Sequence, residues 1–119
     1  MPGNDSLLLR AEILRLVGLI PAGRFATYGT IAAHLNINPR RVAFFLARLD
    51  GEEAKSLPWH RVVAAEGRVS PNMDPSTRAE QVRRLEEEGL LVDARGYLRD
   101  PDTHFFSVGP SRKLRPLRD

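Results

Sequence analysis

A chain of 119 residues, 42% apolar and 28% charged, is long enough for one hydrophobic core and too short for two. It contains no cysteine, which excludes disulfides, thiolate metal sites and a thiol nucleophile and fits an intracellular protein. No apolar run is long enough to cross a bilayer, and Met1-Pro2-Gly3-Asn4-Asp5 lacks the layout of a signal peptide. The formal net charge is +3, and of the 18 basic residues only Lys55 and Lys113 are lysines. Arginine forks onto phosphate and stacks on bases, which suits a nucleic-acid partner. A GC-rich genome or a hot habitat would produce the same bias, so composition alone leaves both readings open.

In chain order, Leu9, Ile13, Leu16, Val17 and Ile20 follow helical spacing and predict a helix from Leu7 to Leu19, capped by Asp5 or Ser6 and broken by Pro21-Ala22-Gly23. Phe25-Ala26-Thr27 reads as an extended link, with Thr27 as N-cap of a helix over Tyr28 to Leu35. Asn36-Ile37-Asn38-Pro39 reads as a turn in which Asn38 caps a helix from Pro39 to Leu49 and Pro39 takes its first position. That helix has three stripes. Val42, Phe45, Leu46 and Leu49 form the buried one. Arg40, Ala43 and Ala47 form a second whose side chains beyond the arginine are small, and Arg41, Phe44 and Arg48 a third that is basic and aromatic.

Asp50 to Ser56 reads as a polar loop, and Arg61 to Val69 as a small hairpin, or wing, turned at Glu66-Gly67. Ser70 to Pro75 is turn-rich. A long helix follows, with Thr77 and Glu80 at capping-box spacing and Gly89 as its stop. Leu90-Leu91-Val92 and Tyr97-Leu98-Arg99 predict a second hairpin turned at Arg95-Gly96. Two short helices joined by a tight turn, the second opening on arginines, make a helix-turn-helix. The expected fold is α+β and mostly α: a winged helix-turn-helix DNA-binding domain with short hairpins over 1–108, then a basic, flexible tail over 109–119 carrying Arg112, Lys113, Arg115 and Arg118.

The strip Leu57-Pro58-Trp59-His60-Arg61-Val62-Val63 resembles the Pro-Cys-His-Arg-Val active-site segment of the O6-alkylguanine-DNA alkyltransferases. The resemblance runs from Ile20 to Gly89. It is carried also by Ile20-Pro21-Ala22-Gly23-Arg24, Thr27-Tyr28-Gly29-Thr30-Ile31-Ala32 and Leu85-Glu86-Glu87-Glu88-Gly89, in the family's order and spacing. In those enzymes the cysteine sulfur accepts the alkyl group of a damaged guanine. Trp59 stands in its place here, and an indole has no comparable nucleophilic lone pair. The resemblance therefore narrows to the alkyltransferase-like proteins, which carry tryptophan at this position and bind alkylated DNA without repairing it.

The resemblance implies roles for particular residues. Arg40 matches the arginine finger that fills the gap left by an extruded nucleotide, with Arg41 as its rival; an arginine in a first helical turn faces the positive end of the helix dipole, a cost that a bound phosphate or base stack would offset. Tyr28, with Thr27 at the same helix N-terminus, matches the tyrosine that pushes on the target phosphate. Ala43 and Ala47 would let the helix lie close to DNA in the minor groove. Trp59, Val62, Val63 and Ser70 would line the pocket for the alkylated base, the valines through backbone groups. His60 and Glu88 match a proton relay that has no thiol to serve, so they and Arg61 read as structural partners.

The chain departs from the family in three places. The recognition helix opens Pro39-Arg40-Arg41-Val42-Ala43 in place of Ala-Arg-x-Val-Gly. Leu49-Asp50-Gly51 replaces an asparagine hinge. Asn72 stands where alkyltransferase-like proteins often place a basic residue near the alkylated base. No cofactor is implied, and His34, His60 and His104 lack metal-ligand spacing. The implied function is non-enzymatic recognition of O6-alkylguanine in double-stranded DNA by a monomeric, cytoplasmic protein (nucleoid-associated in a prokaryote). It would bend the DNA, flag the lesion for nucleotide excision repair proteins and have no membrane association. The competing expectation is a winged-helix transcription regulator reading the major groove, against which Ala43, Phe44 and Ala47 argue because they carry no hydrogen-bonding groups. Glycosylase or hydrolase chemistry ranks last for want of a nucleophile or paired carboxylates.

Overall fold

A computed structural model of the protein describes residues 2–108, with side chains from Ser6 onward; the tail expected over 109–119 lies outside the described residues. Helix α1 spans Pro2–Gly18, starting at Pro2 and not at Leu7. Proline suits a first helical turn, and the residues ahead of the apolar stripe carry no periodicity from which a start could be read. Asp5 and Ser6 therefore lie inside the helix. Ile13, Leu16 and Val17 are buried from α1, and Ile20 just beyond it.

Strand β1 (Ala26–Thr27) leads into α2 (Tyr28–Leu35). Thr27 caps α2 as expected, its hydroxyl accepting from the Thr30 amide at 3.1 Å while the Thr30 hydroxyl accepts from the Thr27 amide at 3.2 Å. The turn after α2 places Asn36 in the left-handed region (φ 57°), which asparagine tolerates better than most residues. Asn38 Oδ1 accepts from the Arg40 amide at 2.8 Å, with Pro39 opening α3. α3 ends at Leu46, short of the expected Leu49. The chain must straighten there because Asp50, extended at φ −77° and ψ 177°, caps a further helix.

That helix, α4 (Gly51–Ser56), corrects the expected polar loop. Asp50 accepts from the Glu53 amide at 2.8 Å and Glu53 accepts from the Asp50 amide at 3.0 Å, a reciprocal cap that organises a single polar turn without an apolar stripe. The expected wing is also corrected. Trp59–Arg61 forms a 3-10 turn, and β2 (Val62–Val63) pairs in parallel with β1, Ala26 against Val62 and Thr27 against Val63. Only the single antiparallel bridge Ala64–Arg68 remains of the hairpin. Buried valines pair with whichever strand completes the core, and β1 is that strand.

Helix α5 (Pro75–Glu87) is capped by Asp74, not Thr77: the Asp74 carboxylate accepts from the Thr77 amide at 3.1 Å, and Pro75 takes the first position. Gly89, at φ +88°, ends it as expected. The second hairpin reduces to one bridge, Val92–Leu98, closed by a turn in which the Gly96 amide donates to the Asp93 carbonyl at 2.9 Å. A short α6 (Pro101–His104) follows, unanticipated, and Phe105 then bridges Phe25.

The two strands divide the interior. Alternate residues of a strand face opposite sides, so Ala26 and Val62 join α1, α2, α3 and Val108 in one apolar cluster. Phe25 and Val63 join Val69, Leu85, Leu90 and Leu98 in the other. The strip from Pro58 to Val63 thus runs along the seam between the helix-turn-helix and α5.

Candidate nucleic-acid interface

The 3-10 turn at Trp59–Arg61 is held by two side chains of α5 and its C-terminus. Buried Gln81 donates its amide to the carbonyls of His60 (3.0 Å) and Val62 (2.9 Å). Glu88 accepts from Arg61 Nη2 at 2.6 Å, from His60 Nε2 at 2.9 Å and from the Gly23 amide at 3.1 Å. Arg61 Nη1 donates to the Ile20 carbonyl at 2.8 Å. Burial disfavours the Glu88 carboxylate, but the Arg61 bonds, then His60 and Gly23, outweigh it and lower its pKa to about 2. Burial lowers the His60 pKa despite Glu88, so the imidazole is held neutral with Nε2–H donating to the carboxylate. His60, Arg61 and Glu88 therefore form one hydrogen-bonded network. Gln81, its fourth member, was not singled out: a glutamine within a charged helical run carries no signal of burial.

Trp59 is half-buried, and its indole N–H donates to the Ala54 carbonyl at 3.2 Å, fixing the ring. The Arg84 guanidinium lies 5.5 Å from the ring centroid, and its Nε donates to Glu80 at 2.8 Å. The indole lines two cavities. The first, of about 280 Å³, is bounded by Tyr28 from the start of α2 and by Ala43, Leu46 and Ala47 from α3, with Trp59 as a wall. Asn72, Met73, Asp74 and Thr77 complete it. The second, of about 350 Å³, shares Leu46, Ala47, Trp59 and Thr77 and extends to Ala54 and Glu80.

Four of the ten residues singled out from the sequence, Tyr28, Ala43, Ala47 and Trp59, thus meet at one cavity. Burial raises the pKa of Tyr28, keeping its hydroxyl protonated. Arg40 continues the Ala43–Ala47 stripe toward the start of α3. It stands with Arg41, Phe44, Phe45 and Ser6 around a separate open groove that shares no lining residue with that cavity. Both arginines are exposed, and neither makes an ion pair among the described residues. Arg48 packs its guanidinium 3.7 Å from the Phe44 ring centroid, realising the basic, aromatic stripe.

The other residues lie apart from the cavity. Val62 and Val63 are fully buried in the seam, and the Val62 carbonyl is taken by Gln81. Ser70 is half-buried, with Oγ accepting from the Asn72 amide at 3.4 Å. Thr27 lines a different groove, shared with Phe25, Gly67 and Phe105. Met73, Asp74 and Thr77 were not anticipated as lining residues. The Asp74-Pro75 pair, an N-cap followed by proline, could have placed a helix mouth there. Among the described residues no cluster of His, Asp and Glu side chains could hold a metal ion, and no helix is long and apolar enough to cross a membrane.

A helix-turn-helix whose second helix is small-faced and basic, set over an aromatic-walled cavity, defines a DNA-binding domain with a pocket. Residues 9–90 match the model of the 6-O-methylguanine DNA methyltransferase DNA-binding domain, and this chain belongs to that family. It is 36% identical over 75 residues to alkyltransferase-like protein 1 of Schizosaccharomyces pombe, covering 61% of this chain and 68% of that one. It is also 36% identical over 101 residues to the DNA base-flipping protein of Escherichia coli, covering 82% and 73%. The crystal structure of S. pombe Atl1 in complex with damaged DNA containing O6-carboxymethylguanine superposes with a TM-score of 0.72 at 27% identity, over 83% of this chain and 94% of that one. The mostly helical fold with its small sheet is therefore the alkyltransferase DNA-binding fold. A longer Thermoplasma volcanium relative, the bifunctional methyltransferase/endonuclease, is 31% identical over 116 residues, and the match spans 35% of its length. The relatives thus include both methyltransferases and alkyltransferase-like proteins.

Proposed function

We propose that this protein binds double-stranded DNA carrying O6-alkylguanine, extrudes the damaged nucleotide and leaves the alkyl group in place. The observation that carries the reading is the cavity of about 280 Å³ walled by Trp59 and Tyr28 at the foot of α3. It supplies an aromatic face for an unstacked base, and the chain has no cysteine to attack it. Trp59 occupies the place of the family's reactive cysteine, and His60 and Glu88, committed to each other and to Arg61, serve the architecture and not proton transfer.

In this reading α3 enters the minor groove along its Arg40–Ala43–Ala47 stripe. Ala43 and Ala47 permit close approach, Arg40 fills the vacated stack and Tyr28 bears on the phosphate of the flipped nucleotide. The S. pombe relative bound to damaged DNA and the E. coli relative named for base flipping support the same reading. The protein acts as a monomer, and the bent, flagged lesion is passed to nucleotide excision repair proteins, since a binder that breaks no bond needs a partner that does. Among alternatives, a sequence-reading regulator is disfavoured by the apolar side chains of Ala43, Phe44 and Ala47.

The test compares duplexes identical except for guanine or O6-methylguanine, with mass spectrometry of the protein after incubation. We expect tighter binding to the methylated duplex and no gain in protein mass. Equal affinities would refute lesion recognition; an added alkyl mass would refute the non-enzymatic reading.

A further inference from the structure

The flipping role leaves one feature of the cavity unused. Of the nine residues lining it, Asp74 alone carries a charged side chain. Its Oδ1 accepts from Thr77 Oγ1 at 2.7 Å, and its Oδ2 accepts from Ser76 Oγ at 2.8 Å and from the Thr77 amide at 3.1 Å. These bonds, the Thr77 hydroxyl foremost, lower its pKa to about 2, so the carboxylate is ionised and held in place at neutral pH. No cationic side chain lines the cavity, and the exposed carboxylate is offset by the donors at the N-terminus of α5. Asn72 is uncharged, and Arg84 beyond the indole has its Nε committed to Glu80, which lines the second cavity.

We propose that the cavity sorts O6 substituents by charge, admitting neutral and cationic groups and disfavouring carboxylate-bearing ones, with Asp74 as the specificity-determining residue. This rests on the lesion-binding reading above. DNA docked over the cavity mouth would exclude the water that screens Asp74, so two carboxylates inside would repel and an ammonium would be attracted. The S. pombe structure, with O6-carboxymethylguanine in its DNA, makes that lesion the informative probe.

Four duplexes of one sequence, bearing guanine, O6-methylguanine, O6-carboxymethylguanine or O6-(2-aminoethyl)guanine, are titrated with the full chain at one pH and ionic strength. Comparing lesions with each other cancels the phosphate contribution. We expect the carboxymethyl duplex to bind roughly tenfold more weakly than the methyl duplex, and the aminoethyl duplex at least as tightly as the methyl one. Asp74→Asn keeps an N-cap residue and should close the gap to within about twofold. Asn72→Arg, which leaves the α5 cap intact, should raise carboxymethyl affinity selectively. Carboxymethyl binding equal to methyl binding in the unaltered protein would overturn the proposal, as would a gap that persists in Asp74→Asn. If no lesion duplex binds more tightly than guanine, the lesion-binding reading fails and takes this one with it, a result distinct from a wrong order among lesions.

Discussion

Trp59 is fixed at its edge and available at its face. Its N–H is satisfied by the Ala54 carbonyl, so the ring needs no further polar partner and can present π-surface to the cavity. Truncating it would remove that surface from both cavities that it lines. Stacking of a base on an aromatic contributes roughly 1–3 kcal/mol. Trp59→Ala should therefore weaken O6-methylguanine duplex binding by on the order of 10- to 100-fold, while unmodified duplex affinity, set by phosphate contacts, holds. Fluorescence anisotropy on both duplexes measures this; a parallel loss on both would mean that the indole supports the fold and not the base.

At the scale of elements, Glu88 joins three segments: the loop after α1 through Gly23, the Trp59–Arg61 turn through His60 and Arg61, and the end of α5 on which it sits. Removing one partner of a largely buried pair leaves the other uncompensated, so Glu88→Gln should lower stability by about 3 kcal/mol. The pH dependence has a definite sign. A carboxyl lowered from 4.5 to about 2 in the fold contributes stability that is complete above the ordinary carboxylate range and is lost as pH falls through that window. Denaturant midpoints between pH 7 and pH 2 should therefore fall for the unaltered protein and fall less for Glu88→Gln. Asp74 and other hydrogen-bonded carboxylates retain part of the slope. Parallel profiles would show that Glu88 is not the titrating hub.

For the whole molecule, the distribution of charge matters more than its sum of +3. Glutamates on α1, α4 and α5 are taken by neighbouring arginines: Glu12 by Arg15, Glu53 by Arg10 and Glu80 by Arg83 and Arg84. Arg40 and Arg41 on α3 and Arg48 just past its end carry no such partner among the described residues, as Arg24, Arg68, Arg78, Arg95 and Arg99 do not elsewhere, so the charge of the α3 arginines is not offset locally. DNA affinity should then fall with salt, with a log–log slope of about −3 to −5 set by released counterions. Arg41→Ala should reduce the slope by about one on both duplexes. Arg40→Ala should in addition erode the preference for the lesion. Arg83→Ala, a loss of equal charge from a paired site on α5, should do neither. Equal effects of Arg40→Ala and Arg83→Ala would place the finger elsewhere.

The sequence by itself determined the helix-turn-helix and the stripes of α3, because Thr27, Asn38 and Pro39 cap through local bonds and the apolar period of α3 survives any packing. It also determined the absence of a thiol and, through a spaced series of motifs, the family. Short-range rules misjudged the rest where a distant partner intervened. Val62 and Val63 look like half of a hairpin, but pairing with Ala26 and Thr27 buries both their faces. Asp74 displaced Thr77 as the cap of α5. The burial of Gln81, the convergence of Tyr28, Ala43, Ala47 and Trp59 on one cavity, and the entry of Asp74 into it were decided by the tertiary structure alone. Capping and periodicity act over one or two turns of chain, whereas a cavity is bounded by whatever segments the core brings together, and no local pattern encodes which segments those are.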